Sequence, residues 1–283
     1  MEVGVPSFLP RWPEDRIDSW EKFQEFVAAS RAHWPNEDRL LFRGQASSSW
    51  TLLPSLAREL DGKGIDWFKI AKLERELVKQ FRQEAHRSLS QVVLPRSNFL
   101  LDWWTIMQHY GAPTRVLDWS RSPYVGLYFA VDQRWTDDGV LWWFRGSTLE
   151  HLMVNRLAHT YNQVSKDLFE AGNDSSFWDP DPPQHCLFSF ELKRTLDRIG
   201  NQQAFFTVSL NAADDHADVL AELATYSDGP HFGKLVTPRD CKGQLLRELQ
   251  LMNVTGKSMF PGLDGLGRTL AELTKLSVPF GIP

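Results

Sequence analysis

Two short stretches of the chain hold residue types that could do chemistry. The first is Phe42-Arg43-Gly44-Gln45, where an arginine ends the apolar run Leu40-Leu41-Phe42. Arginine's planar fork of donors suits phosphate or carboxylate, and the glycine after it lets another group come close to the backbone. Taken alone, such an arginine reads as the structural partner of a nearby carboxylate, because ion-pair networks imitate sites. Trp50, Pro54, Ser55 and Arg58 follow closely and by themselves read as packing around a turn.

The second stretch is Gln108-His109-Tyr110-Gly111-Ala112-Pro113-Thr114-Arg115-Val116-Leu117-Asp118-Trp119-Ser120, which gathers titratable, hydrogen-bonding and aromatic groups around one turn and one strand. In an alternating strand Arg115, Leu117 and Trp119 face one side while Val116, Asp118 and Ser120 face the other, so Asp118 and Ser120 share a surface. His109, at the end of a helix, reads on its own as a capping cation favoured by the helix dipole.

Other chemistries find less. His185 and Cys186 are adjacent and point apart on a strand, His151 and His159 are eight apart without a carboxylate partner, and no H-x-x-x-H or C-x-x-C spacing occurs, so no metal is expected. The G-x-S-x-G elbow of serine hydrolases is absent. His109, Asp118 and Ser120 are what a metal-independent hydrolase or nuclease would use, though Asp118 and Ser120 on one strand leave little room for a histidine between them. Neither G-x-G-x-x-G nor a Walker-type loop appears, which argues against a Rossmann dinucleotide site.

Phe42-Arg43-Gly44-Gln45 with Trp50 and Pro54-Ser55-Leu56, the Gln108 to Ser120 stretch, and Leu127-Tyr128-Phe129-Ala130-Val131 together resemble the FRG domain of bacterial proteins. The likeness continues through Gln202-Gln203-Ala204-Phe205-Phe206 and Phe260-Pro261-Gly262-Leu263-Asp264-Gly265, from about Trp20 to Leu276. It implies an association with bacterial conflict and phage defence.

The chain is also similar to ADP-ribosyltransferases, whose small split sheet binds NAD through three strand-borne motifs. In that likeness Arg43 matches the arginine or histidine of the first strand. Asp118-Trp119-Ser120-Arg121-Ser122, ahead of the Leu127-Tyr128-Phe129-Ala130 helix, matches the serine-centred second motif. Gln203 stands where the family places a catalytic glutamate. The resemblance implies NAD as cofactor, with Arg43 on phosphate, Tyr110 or Trp119 stacked on a flat base, Ser120 and Gln203 fixing the ribose, and Gly44, Gln45, Thr114, Arg115 and Ser122 completing the binding set. The amide at Gln203 matters because breaking the nicotinamide–ribose bond passes through an oxocarbenium-like state that a carboxylate stabilises. Losing such a term typically costs about 3–4 kcal/mol, so either another acid, Asp118 or Glu191, supplies it or transfer is slow or absent.

The expectation is therefore an ADP-ribosyltransferase-like enzyme, a transferase or an NAD glycohydrolase, with Arg43, His109, Asp118 and Gln203 as its catalytic candidates. Its partners would be a nucleotide and a macromolecular acceptor or defence partner. One alternative keeps the cleft but does no chemistry, as a nucleotide-sensing or protein-binding module. The other is the hydrolase or nuclease, which a net charge of -5 disfavours because that field repels polyanions.

The elements that would position these groups follow from patterning. With 283 residues, 42% hydrophobic and 12% aromatic, the chain can bury a large core. Ser19 ahead of Trp20, Phe23, Phe26 and Val27 predicts a helix ending before Pro35. Trp67, Ile70, Leu77 and Phe81 predict another between Asp66 and Arg87. A third spans Phe99 to His109, with Gly111 as its left-handed stop. A strand over 114–119, Ser122-Pro123 opening a helix through Val131, a buried strand over Val140 to Phe144, and a Ser147/Glu150 capping box for a helix through Leu157 come next. The Gly-, Asn-, Asp- and Pro-rich segment from Glu170 to Cys186 reads as a mobile flap.

Strands at Phe188 to Phe190, Ala204 to Leu210 and Phe232 to Val236 interleave with helices at Asp215 to Tyr226, Gln244 to Met252 and Thr269 to Leu276. The uneven spacing predicts an α+β fold, a single domain with a mixed, split β-sheet flanked by helices. Residues 1–36 form an N-terminal helical segment and 37–283 the domain. Two cysteines, no export signal and no apolar run near 20 residues predict a cytoplasmic protein with no membrane partner.

Overall fold

The apolar runs of the sequence meet in one seven-stranded mixed sheet. Its strands are β1 (Glu14–Arg16), β2 (Leu40–Gln45), β3 (Val116–Ser120), β4 (Gly139–Arg145), β5 (Leu187–Phe190), β6 (Ala204–Ser209) and β7 (Phe232–Thr237), in the spatial order β1-β7-β4-β2-β3-β6-β5. The computed structural model describes residues 12–33, 40–88, 99–167, 175–178, 184–191, 204–224, 231–260 and 262–277. Only β1 and β7 run parallel; every other neighbouring pair is antiparallel. The interior strand β4 is buried from Gly139 to Phe144, which is why it reads as a continuous apolar run rather than an alternating one.

Eleven α-helices flank the sheet among the described residues: α1 (Trp20–His33), α2 (Ser55–Leu60), α3 (Trp67–Ser88), α4 (Leu100–His109), α5 (Pro123–Val131), α6 (Gly146–Ser165), α7 (Ser175–Trp178), α8 (His216–Ala224), α9 (Lys242–Leu251), α10 (Gly256–Met259) and α11 (Leu263–Ser277). Adjacent strand residues point to opposite faces, and the two cores divide accordingly. Phe42, Leu141 and Trp143 pack with Tyr128 of α5, Leu245 of α9 and Phe23 of α1. Leu41, Phe144 and Val208 pack on the other face with Trp104 of α4, Leu152 of α6 and Leu220 of α8. Trp12 joins that second core, where its indole N–H donates to the Ala217 carbonyl at 2.9 Å.

Local signals place most ends. Ser19 Oγ accepts from the Lys22 amide at the start of α1, Ser122 Oγ accepts from the Val125 amide at the start of α5, and Gly111 takes φ +82° after α4. The expected Ser147/Glu150 capping box is absent: α6 begins directly at Gly146, with Arg145 as its N-cap and no side-chain cap bond. The last helix starts six residues earlier than expected, at Leu263. Part of the expected flap is docked. Phe177 of α7 is fully buried, edge-on to Trp104 at 5.2 Å, and its carbonyl accepts from Arg115. The remainder of 170–183 lies outside the described residues.

One break in the sheet positions the site. β2 pairs with β4 over six residues and β3 with β6 over five, but β2 and β3 share a single pair, Phe42 with Ser120. Beyond it the two strands part, and α5 returns across β2. The return is close. A Cβ on Gly44 would lie 1.9 Å from the Gly126 carbonyl oxygen and 2.6 Å from the Ala130 amide. The group that approaches the Gly44 backbone is thus helix α5.

Candidate functional site

A cavity of about 460 Å³, partly open to solvent, occupies the parting between β2 and β3. Arg43, Asp118, Trp119 and Ser120 line it from the strands, Phe129 from α5, and Arg58, Phe260 and Arg268 from α2 and the C-terminal segment. The volume lies within the range of small-ligand sites, roughly 300–1,000 Å³.

Arg43 crosses the parting. Its Nη1 donates to the Asp118 carbonyl at 2.7 Å and to Asp118 Oδ1 at 2.6 Å. A continued β2–β3 ladder would pair strand carbonyls with strand amides; here a side chain takes the Asp118 carbonyl. Gln108 Nε2, from α4, donates to the same Oδ1 at 2.8 Å. The Arg43 side chain is 16% exposed and that of Asp118 39%, so the guanidinium sits behind the carboxylate. Arg43 Nε and Gln108 Oε1 are buried without a hydrogen-bond partner among the described residues.

Behind the ion pair the groups are fixed and neutral. Trp119 Nε1 donates to Thr207 Oγ1 at 2.9 Å, and Thr207 Oγ1 also lies 2.9 Å from His216 Nδ1. His216 is fully buried; burial, and then the nearby Arg43 charge, push its pKa down to about 3, so the imidazole is uncharged at neutral pH. The Trp119 ring packs edge-on to Phe144 at 4.6 Å inside the core. It therefore presents no face for a base to stack on. The aromatic wall of the cavity is instead Phe129, with Phe260 edge-on to it at 6.0 Å.

The structure gathers Arg43, Gly44, Asp118, Trp119 and Ser120 at the cavity and places the other described candidates elsewhere. Arg115 is fully buried: its Nε donates to Glu74 Oε2 at 2.6 Å and its Nη1 to the Leu210 carbonyl at 2.7 Å. It ties β3 to α3 and β6 and cannot reach a ligand. Thr114 is equally buried, exchanging hydrogen bonds with Ser55 that hold α2 in place. Gln45 bridges the Thr51 carbonyl and the Trp142 indole, and Ser122 caps α5. Tyr110 is half exposed beside His109, their rings 4.9 Å apart, and neither lines the cavity. Glu191, the other acid considered, pairs with Arg121 at 2.6 Å away from the cavity. Gln203 lies outside the described residues, one position before Ala204, which pairs with Ser120.

Sequence reasoning missed Arg268, Phe129 and Gln133 and took Arg58 for turn packing. Gly262, Gly265 and Gly267 hide the true start of α11, so Arg268 seemed to precede the helix. Gln133 sits in a turn held by Lys242. The buried Nζ of Lys242 donates to the Ala46, Gln133 and Arg134 carbonyls at 2.7–3.1 Å, and burial pushes its pKa down to about 8. Nothing in the sequence distinguishes that lysine from its solvated neighbours.

Among the described residues no group of three or more His, Cys, Asp or Glu side chains is placed to hold a metal ion, and no helix is long and apolar enough to cross a membrane. No curated protein and no solved structure matches the chain. Arg268, Phe260 and Gln203 fall outside the stretch that a family model matches. That stretch, residues 38–139, supplies Arg43, Arg58, Asp118, Ser120 and Phe129 to the cavity, and it matches the family model of the FRG domain.

Proposed function

We propose that the chain binds NAD in the cavity between β2 and β3 and breaks its nicotinamide–ribose bond, as an ADP-ribosyltransferase-like enzyme of a bacterial conflict or phage-defence system. The observation that carries this reading is the Arg43–Asp118 pair at the mouth of a ligand-sized cavity beside Ser120. Departure of nicotinamide takes the bonding electrons with it and leaves positive charge on the ribose. A fixed carboxylate facing that charge stabilises the transition state without having to reorganise. Asp118 is the acid in position for this, which answers the amide at Gln203. A water or an acceptor hydroxyl then adds to the ribose carbon and releases its proton to solvent.

A non-catalytic nucleotide-binding module is favoured by a different observation: Asp118 Oδ1 already accepts from both Arg43 and Gln108. Incubation with NAD and chromatography of the products separates the two. Release of nicotinamide supports the enzyme. A raised melting temperature with NAD intact supports the module, because a ligand that binds the native state stabilises it. Neither effect at millimolar NAD contradicts both.

A further inference from the structure

Charge at the cavity is lopsided. Three arginines line it, Arg43, Arg58 and Arg268, against the one carboxylate of Asp118, in a chain whose net charge is -5. Asp118 answers Arg43, so the positive charge in excess belongs to the other two. Arg58 is exposed on α2, and its side chain makes no ion pair, hydrogen bond or ring contact among the described residues. Arg268 makes one long ion pair, Nε to Asp264 Oδ2 at 3.4 Å with Asp264 itself exposed, its charge is felt by the buried Asp132, and its guanidinium lies over the Phe260 ring at 3.9 Å.

Both arginines stand on fixed supports. The Leu56 amide and Ser55 hydroxyl of α2 donate to the Thr114 carbonyl. On α11, one turn after Arg268, Glu272 accepts from the buried Tyr128 hydroxyl of α5 at 2.6 Å. The helices that carry them are anchored, and a guanidinium's planar fork suits a phosphate's geometry better than an ammonium does.

We propose that Arg58 and Arg268 form a pyrophosphate-binding end of the cavity, separate from the Arg43–Asp118 end. The assignment rests on the nucleotide reading for its natural ligand, and it reverses the expectation that Arg43 holds the phosphate. A dinucleotide would then lie with its diphosphate toward α2 and α11 and its reacting ribose toward Asp118.

Inorganic pyrophosphate tests this end alone, by titration calorimetry at low salt. The wild type should bind it. Arg58→Ala and Arg268→Gln, the latter keeping a stem over Phe260, should each weaken binding by about ten- to a hundredfold. Arg87→Ala on the exposed end of α3 serves as the control and should leave binding unchanged, with melting temperatures confirming that every variant is folded. Equal weakening by Arg87→Ala, or unchanged binding in Arg58→Ala and Arg268→Gln, overturns the subsite, as does a wild type that ignores pyrophosphate. Titration with ADP-ribose separates the two levels. Pyrophosphate binding that needs both arginines, without ADP-ribose binding, keeps the subsite and sinks the nucleotide; ADP-ribose binding that is indifferent to both arginines does the reverse.

Discussion

One nitrogen of Arg43 holds Asp118 by its backbone carbonyl and by its carboxylate, at 2.7 and 2.6 Å. This contact substitutes for the strand pairing that β2 and β3 abandon after Phe42 and Ser120, so the same interaction closes the sheet and orients the acid at the cavity. Structure and chemistry are coupled there. Arg43→Ala should lower stability by about 1–3 kcal/mol, the cost of leaving its partners unsatisfied near the surface, while the chain stays folded. Denaturant unfolding checks this. A loss well beyond that range would show that the sheet depends on Arg43 for its assembly.

Gly44 should tolerate no side chain. A Cβ there meets backbone atoms of Gly126 and Ala130, neither of which can move without lifting α5 from β2. Gly44→Ala is expected to cost about 3 kcal/mol or more, at the upper end of overpacking effects. Gly126→Ala should cost less, because its obstacles, the end of the Leu141 side chain at 2.6 Å and Phe42 Cβ at 2.9 Å, stand farther off than the backbone oxygen 1.9 Å from a Cβ on Gly44. Unfolding midpoints for the two variants give the comparison, and equal losses would refute this account of the helix–strand contact.

The Arg115–Glu74 pair is buried on both sides, its side chains 1% and 0% exposed. Breaking a buried pair by removing one partner leaves an uncompensated group and typically costs about 3–5 kcal/mol. Arg115→Ala should therefore destabilise far more than Arg43→Ala, and NAD at saturating concentration should not restore the difference. Thermal unfolding with and without NAD tests both statements.

Two buried groups should give stability opposite pH dependences. Asp132, at the end of α5, has its pKa pushed up to about 7 by burial. The folded state then holds a proton that the unfolded state loses near pH 4, so its contribution falls as pH rises from about 4 to 7. His216, held near 3 by burial, works the other way. The unfolded state takes up a proton below about pH 6.5, so stability is lost as pH falls from there toward 3. The two slopes partly cancel in the wild type. Asp132→Asn should gain nothing relative to wild type at pH 4 and increasingly more by pH 8, on the order of 4 kcal/mol at the limit. A difference independent of pH would contradict the assignment.

Much of the fold was legible because local physics dictates it. The Ser19 and Ser122 caps, the stop at Gly111 and the buried run of β4 each follow from a few neighbouring residues. At the site, Arg43, Asp118 and Ser120 stood out because charged and polar residues interrupt otherwise apolar strand segments. Arg115 stood out for the same reason, yet it is structural. Its partner Glu74 lies 41 residues away on α3, and only tertiary packing reveals that an arginine is spent on a buried carboxylate. Arg268 went unseen for a related reason: it reaches the cavity through α11, whose docking depends on the distant pair Tyr128 and Glu272. Strand β1 was hidden by brevity, three charged residues that join the sheet only beside β7.

The most direct test of the central claim is nicotinamide release measured alongside NAD binding in Asp118→Asn. The variant keeps the shape of the acid and one acceptor oxygen for Arg43 and Gln108 but removes the charge. Binding within a fewfold of wild type, with release slowed by about 10²–10³, is the predicted result. Release at the wild-type rate in a folded Asp118→Asn protein would contradict the assignment of the acid.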